Sequence, residues 1–192
     1  MAGLIELMGG AARFVRKLDT FFYEKHYKHD NEPSHNHAFL YCYAQAPWKT
    51  QARVRRVLRT EYLPEPDGLS GNDDSGQMSA WYVLAAMGLY PTCPGMPVYV
   101  ITSPLFEHVR LHLDAAHYAG RTFTVEAPGT SERNKFIQAA ELDGQAWERP
   151  WFPHETIRQG GRLVLTLGPE PNYGWGSRPE DAPPSLSTRG RG

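Results

Sequence analysis

At 192 residues the chain has room for one compact domain and a tail, and is too short for a complete large multidomain enzyme. Lysine plus arginine number 20 against 21 aspartate plus glutamate, for a formal charge of -1, so no net attraction draws it to phosphate backbones or anionic lipid, and a nucleic-acid partner is excluded as the default. No stretch approaches the roughly 20 apolar residues of a bilayer span, and the opening MAGLIELMGG has no basic region before a long apolar run, so no membrane partner or targeting segment is expected.

Cys42 and Cys93 lie far apart without a CxxC partner, which predicts neither a zinc knot nor a disulfide framework and leaves the redox compartment open. Aromatic residues make up 12% of the chain. That share fills a core, the commoner use, and leaves rings for a ligand cleft, sugar binding among its uses.

In chain order, Phe14, Val15, Leu18, Phe21 and Phe22 recur at spacings of three and four, predicting an amphipathic helix over 11–27. HDNEPS, residues 29–34, reads as a loop in which Pro33 opens a new helix. Ala38 to Tyr43 continues as a short, almost uniformly apolar helix stopped at Ala46-Pro47. Thr50 to Tyr62 makes the next helix, with Val54, Val57, Leu58 and Tyr62 inward and Arg53, Arg55, Arg56 and Arg59 outward as a solvated face. LPEPDGLSGNDDSG, residues 63–76, is loop by its Pro, Gly and Asp content. QMSAWYVLAAMGL, 77–89, is helix, apolar nearly all round and therefore interior.

After Pro91 the pattern changes. Short β-branched runs at 98–102, 109–113, 122–126, 135–139 and 163–167 are separated by Pro, Gly and Asn and predict a β-sandwich or part of one. Residues 169–192, rich in Pro, Gly, Ser and Arg, are expected to fray.

Two loops concentrate the reactive polar groups: His29, Asp30, Asn31, Glu32, His35 and His37 in the first, and Glu65, Asp67, Asn72, Asp73 and Asp74 in the second. If both face one cavity, carboxylate chemistry leads. Adjacent Asp73 and Asp74 repel unless a cation, a donor shell or a shared proton relieves them; hard oxygen ligands of this kind suit calcium better than zinc. Capping of the helix that begins near Ser75 by one aspartate is the competing account. Glu32 before Pro33 is presented rigidly, either to a ligand or to the helix dipole. His35 and His37 alternate and lack the spacing of a zinc pair, and no GxSxG, GxGxxG or GKS/T pattern occurs, which removes the nucleophile elbow, the dinucleotide fingerprint and the phosphate loop.

The segments NEPSHNHAFLYCYAQAPWKTQARVRRVL, 31–58, and GLSGNDDSGQMSAWYVLAAMGLYPTCPG, 68–95, closely resemble glycoside hydrolase family 92, calcium-dependent inverting exo-α-mannosidases; VYVITSPLFEHVRLHL, FIQAAELDG and GGRLVLTLGPEPNYGWG resemble the same family's closing β-structure. The resemblance implies an α+β fold: the C-terminal part of an (α/α)6 helical toroid over residues 1–95, β-sandwich strands over 96–168 and a flexible tail over 169–192. It implies Asp74 and Asp73 as the water-activating acidic pair, Asp74 favoured; Asn31 and Glu32 in the calcium-coordinating region; and His35 and Asn72 as sugar contacts. The implied partner is a mannose-containing glycan. The general-acid segment, the first barrel helices and the amino-terminal β-domain are expected outside these residues, so the chain itself is expected to be a fragment, and alternatively a non-catalytic remnant or a mannose-binding module. Family members commonly carry histidine where this chain has Asn36 and glycine where it has Asp30; relatives are usually secreted or periplasmic.

Overall fold

The computed structural model describes residues 1–188. The first half is helical and the second is built of strands. Helices α1 (Ala2–Leu7) and α2 (Ala11–Tyr23) are followed by 3-10 turns at Glu32–Ser34 and His37–Ala44, then by α3 (Pro47–Thr60) and α4 (Gln77–Ala86). The strands are β1 (Leu89–Tyr90), β2 (Val98–Ile101), β3 (His108–His112), β4 (Thr122–Glu126), β5 (Phe136–Leu142), β6 (Gln145–Ala146), β7 (Trp151–Pro153) and β8 (Gly161–Gly168), with α5 (His154–Gln159) between the last two.

The amphipathic α2 forms as its spacing predicts, burying Phe14 and Leu18, and ends early because Lys25 turns to φ +60°. Residues 38–43 coil into a 3-10 helix rather than the expected α-helix. Ala38, Phe39, Tyr41, Cys42 and Tyr43 are all buried, as the almost uniformly apolar run predicts. Gln45 at φ +62° then breaks the winding, and Pro47 opens α3 at its first position, where a missing N–H costs nothing.

α4 is interior on one side only. Trp81 and Ala85 are fully buried, while Val83 is 54% exposed. Gly88, at φ +86°, reverses the chain into β1.

β1, β2 and β7 form an antiparallel three-stranded sheet; β3-β4-β8-β5-β6 form a second sheet in which only β4 and β8 run parallel. Leu89, Ile101 and Phe152 of the first share one apolar cluster with Phe123, Val125, Ile137, Leu163 and Leu165 of the second. The five strands expected from sequence form within a few residues of their predicted ends, whereas β1, β6, β7 and α5 carry too few residues to leave a periodic signal.

Two expectations are corrected. The segment after residue 168 does not hang free as far as residue 188: Trp175 is buried in the strand cluster, its Nε1 donates to the Trp147 carbonyl at 2.8 Å, and Trp151 Nε1 donates to the Asp181 carbonyl at 3.0 Å. Ser185 Oγ then accepts from Met1 N at 2.9 Å, so this segment packs back against α1. Residues 189–192 of that expected tail lie outside the described residues. The arginine face of α3 is not wholly solvated either, since the Arg55 side chain is only 4% exposed.

No helix among the described residues is long and apolar enough to cross a membrane. Both cysteines are free.

Candidate active site

The two acidic loops meet. Gly71 sits against the backbone of Asp30 so closely that a Cβ there would lie 2.3 Å from the Asp30 carbonyl oxygen and 2.6 Å from its Cα. Residues 62–69 fold back on themselves through a bridge between Tyr62 and Leu69 and a Leu63 N–H donated to the Gly68 carbonyl at 2.8 Å, which sets Gly71 on the first loop.

Beyond Gly71 the chain takes three successive left-handed residues, Asp74 (φ +45°), Ser75 (φ +61°) and Gly76 (φ +91°). Such a run is costly for residues bearing Cβ. It is held by Asp73, whose carboxylate accepts from Ser79 N at 2.8 Å and Ser79 Oγ at 3.0 Å, satisfying first-turn donors of α4. The strained turn thereby separates two adjacent aspartates: Asp73 caps a helix and Asp74 faces Glu32. Across the contact, Asn31 Oδ1 accepts the Glu32 N–H at 3.0 Å and Pro33 stiffens the turn, which fixes Glu32 on the opposite wall.

Between these walls lies a cleft of about 470 Å3 lined by Glu32, His35, Asn36, Asp74, Gln77, Trp81 and Tyr90, with Pro91 and Pro94 at its side. A second cleft of about 450 Å3 shares Asn36, but its lining holds no carboxylate, so of the two only the first offers carboxylate chemistry. Desolvation raises the Asp74 carboxyl above its ordinary value; the charge of Glu32, a hydrogen bond to it and the charge of Asp73 raise it further, and only His35 opposes them. Like charges at close range disfavour ionisation, so the neighbouring carboxylates push the Asp74 carboxyl upward.

Behind the cleft is a buried histidine stack. Tyr62 Oη donates its one proton to the Met78 carbonyl at 3.0 Å, so its oxygen accepts from His29 Nε2 at 2.6 Å. His29 Nδ1 is then the bare nitrogen, and Tyr27 Oη donates to it at 2.7 Å. Burial, with the charge of His35 second, holds His29 down to about 3, so it is a neutral strut. His35 packs on it at 4.7 Å between ring centroids and donates Nε2–H to the His29 carbonyl at 3.2 Å. Gln77 Nε2 donates to His35 Nδ1 at 3.4 Å.

Of the six residues singled out from sequence, Glu32, His35 and Asp74 line this cleft and Asn31, Asn72 and Asp73 do not. Asp73 is engaged by Ser79 and Asn31 by its own turn, while Asn72 is exposed on the rim. His35 lines the wall with both ring nitrogens already engaged. Gln77, Tyr90 and Tyr62 were not legible as site residues, and His29, counted among the reactive groups of the first loop, proves to be a buried support behind the cleft. The one available signal was the position of Gln77, directly after the acidic turn at the start of a helix.

Oxygen donors are what a hard divalent cation takes, and Glu32 and Asp74 fit that chemistry. They supply only part of the six to eight oxygens that calcium requires, and among the described residues no group of three or more His, Cys, Asp or Glu side chains is placed to hold a metal ion.

The sequence pattern of the glycosyl hydrolase family 92 catalytic domain matches residues 1–169. A protein of Arthroderma benhamiae described as an uncharacterized secreted glycosidase is 39% identical over 195 residues, which cover 97% of this chain and 24% of that protein. The family GH92 inverting mannosidase BT2199 of Bacteroides thetaiotaomicron has the same fold over 96% of this chain and 28% of its own, with a TM-score of 0.87 and 37% identity. The family GH92 α-mannosidase BT3965 of that bacterium matches at a TM-score of 0.85 and 33% identity, over 92% of this chain and 24% of its own. The chain thus spans about a quarter of the length of these relatives. With its family pattern running through both acidic loops and the strands behind them, this chain belongs to glycosyl hydrolase family 92.

Proposed function

We propose that this chain furnishes the water-activating wall of a calcium-dependent, inverting exo-α-mannosidase that removes terminal α-mannose from N-glycans or mannans, as a fragment of the complete catalytic unit. The observation that carries the reading is the Glu32–Asp74 carboxyl pair, brought together from loops some forty residues apart at the mouth of a cleft walled by Trp81 and Tyr90. Asp74 is the base: its carboxylate takes a proton from the water that attacks the anomeric carbon. A carboxyl raised toward the working pH is a better base than an ordinary aspartate.

Inverting hydrolysis needs its acid and base roughly 6.5–9.5 Å apart, with the sugar and water between them. Glu32 lies on the same cleft as Asp74, and its charge raises the Asp74 carboxyl, a pairing of neighbours unlike that separated acid and base. Glu32 is therefore a cation and sugar ligand, and the acid that protonates the departing oxygen comes from a segment outside these residues. Asn31 retains a lone pair on Oδ1 for the same cation. When bound, calcium supplies positive charge that orients two sugar hydroxyls and favours a flattened, oxocarbenium-like ring. Gln77 and Tyr90 orient the sugar, His35 contributes ring surface, and Asn72 is the outermost contact.

The test is hydrolysis of an aryl α-mannoside and of α-1,2-mannobiose by the complete enzyme that contains this chain, followed by proton NMR of the first-formed anomer. β-Mannose appearing first, with turnover lost in EGTA and restored by calcium, is expected. α-Mannose appearing first, indifference to the chelator, or no turnover of either substrate overturns the reading.

A further inference from the structure

A second charged cleft shares no lining residue with the first. On α3, Arg55, Arg56 and Arg59 stand one helical turn or less apart, and together with Lys135 they line a space of about 320 Å3 floored by the small side chain of Ala52. Four cations there face one carboxylate, that of Glu132.

Arg55 is the unusual member. Its side chain is 4% exposed; Nη1 donates to the Pro104 carbonyl and, at 3.3 Å, to Thr130 Oγ1, and its buried Nε has no hydrogen-bond partner. A buried guanidinium needs compensation by charge or by a full set of acceptors. Glu132 supplies it loosely, 3.8 Å from Arg55 Nη2 and 3.4 Å from Arg59 Nη1, where seated charge-assisted bonds measure about 2.7–2.9 Å. Glu132 is itself 55% exposed and free to swing out. A purely structural role, tying α3 to the Pro104 and Thr130 loops, accounts for Nη1. It leaves Nε and the convergence of Arg56, Arg59 and Lys135 without a reason.

We propose that this cleft binds a tetrahedral oxyanion, a phosphate or sulfate group free or esterified to a sugar, with Glu132 as the resident carboxylate that the incoming group displaces. Planar guanidinium forks match the spacing of such oxygens. The oxyanion takes the place of Glu132 at Arg55 and Arg59, and Arg56 and Lys135 close over its remaining oxygens.

Calorimetric titration of the 192-residue chain with inorganic phosphate, against potassium chloride at matched ionic strength, tests the proposal. Saturable binding in the range of about 1 mM is expected. The double variant R56Q/R59Q, both positions exposed, loses about tenfold or more in affinity with an unchanged melting curve, and E132Q gains several-fold. Parallel titrations with a hexose 6-phosphate and the unphosphorylated hexose separate esterified from free oxyanion, since tighter binding of the ester assigns the former and equal binding the latter. Heats that phosphate and chloride produce alike, or saturable binding that R56Q/R59Q leaves intact, overturn it.

Discussion

Gly71→Ala probes the contact on which the site depends. The added Cβ would lie 2.3 Å from one Asp30 backbone atom and 2.6 Å from another. Neither neighbour is the end of a flexible side chain, so no rotamer change relieves the overlap and the two loops must part by about 1 Å to reach ordinary contact. Overpacking of this kind costs about 1–3 kcal/mol. The separation also carries Asp74 from Glu32, so its carboxyl falls back toward the ordinary range. In the complete enzyme a displacement of that size at the reacting groups is worth about 100-fold in rate. Urea unfolding gives the first quantity, a carbon-13 NMR titration of Asp74 the second and mannoside turnover the third. Gly95→Ala, with nothing within 4 Å of the new Cβ, serves as control and stays within about 0.5 kcal/mol of the parent. A Gly71→Ala protein that matches this control in stability and keeps the raised Asp74 titration would refute the loop contact.

The two aspartates separate by the assay that each one moves. Asp73→Asn weakens the cap on Ser79 and costs about 1 kcal/mol in a thermal melt while turnover persists; Asp74→Asn leaves stability near the parent and lowers kcat of the complete enzyme by about 100- to 10,000-fold. The Asp74 carboxyl titrates higher in the folded state than in the unfolded chain, so its contribution to stability is complete below the unfolded value and disappears as pH rises through the folded one. Stability against pH from 3 to 8 is therefore flatter in Asp74→Asn. His29 runs the other way. With its folded value held down to about 3, its contribution is complete above the unfolded value near 6.5 and is lost as pH falls toward 3, at up to about 1.4 kcal/mol per pH unit; His29→Leu removes that slope in acid unfolding. Trp175→Ala, which empties a buried site in the strand cluster, costs about 3–5 kcal/mol, and a melt unchanged by it would return residues 169–188 to the solvent.

How much was legible in the sequence follows from the range of the forces involved. Helical period, β-branched runs and proline punctuation are local, so α2, α3, α4 and the five principal strands stand in the sequence to within a few residues, as do the two acid-rich loops and their family pattern. Strands of two or three residues, such as β1 and β6, have no period to read. The 3-10 winding of residues 37–44 leaves no period over so short a uniformly apolar segment that would separate it from an α-helix.

The residues alone determined which side chains are able to do chemistry here: carboxylates at Glu32, Asp73 and Asp74, and an aromatic supply large enough to wall a cleft. Only the tertiary structure decided which of them meet in one cleft. The left-handed run at residues 74–76 turned one aspartate to the helix and its neighbour to Glu32. Long-range packing of Gly71 on Asp30 placed the two loops together, and the burial of His29 and Arg55 withdrew from water two groups that composition assigns to the surface. Each of these outcomes rests on excluded volume and desolvation between segments distant in the chain, and those terms exist only once the chain has folded.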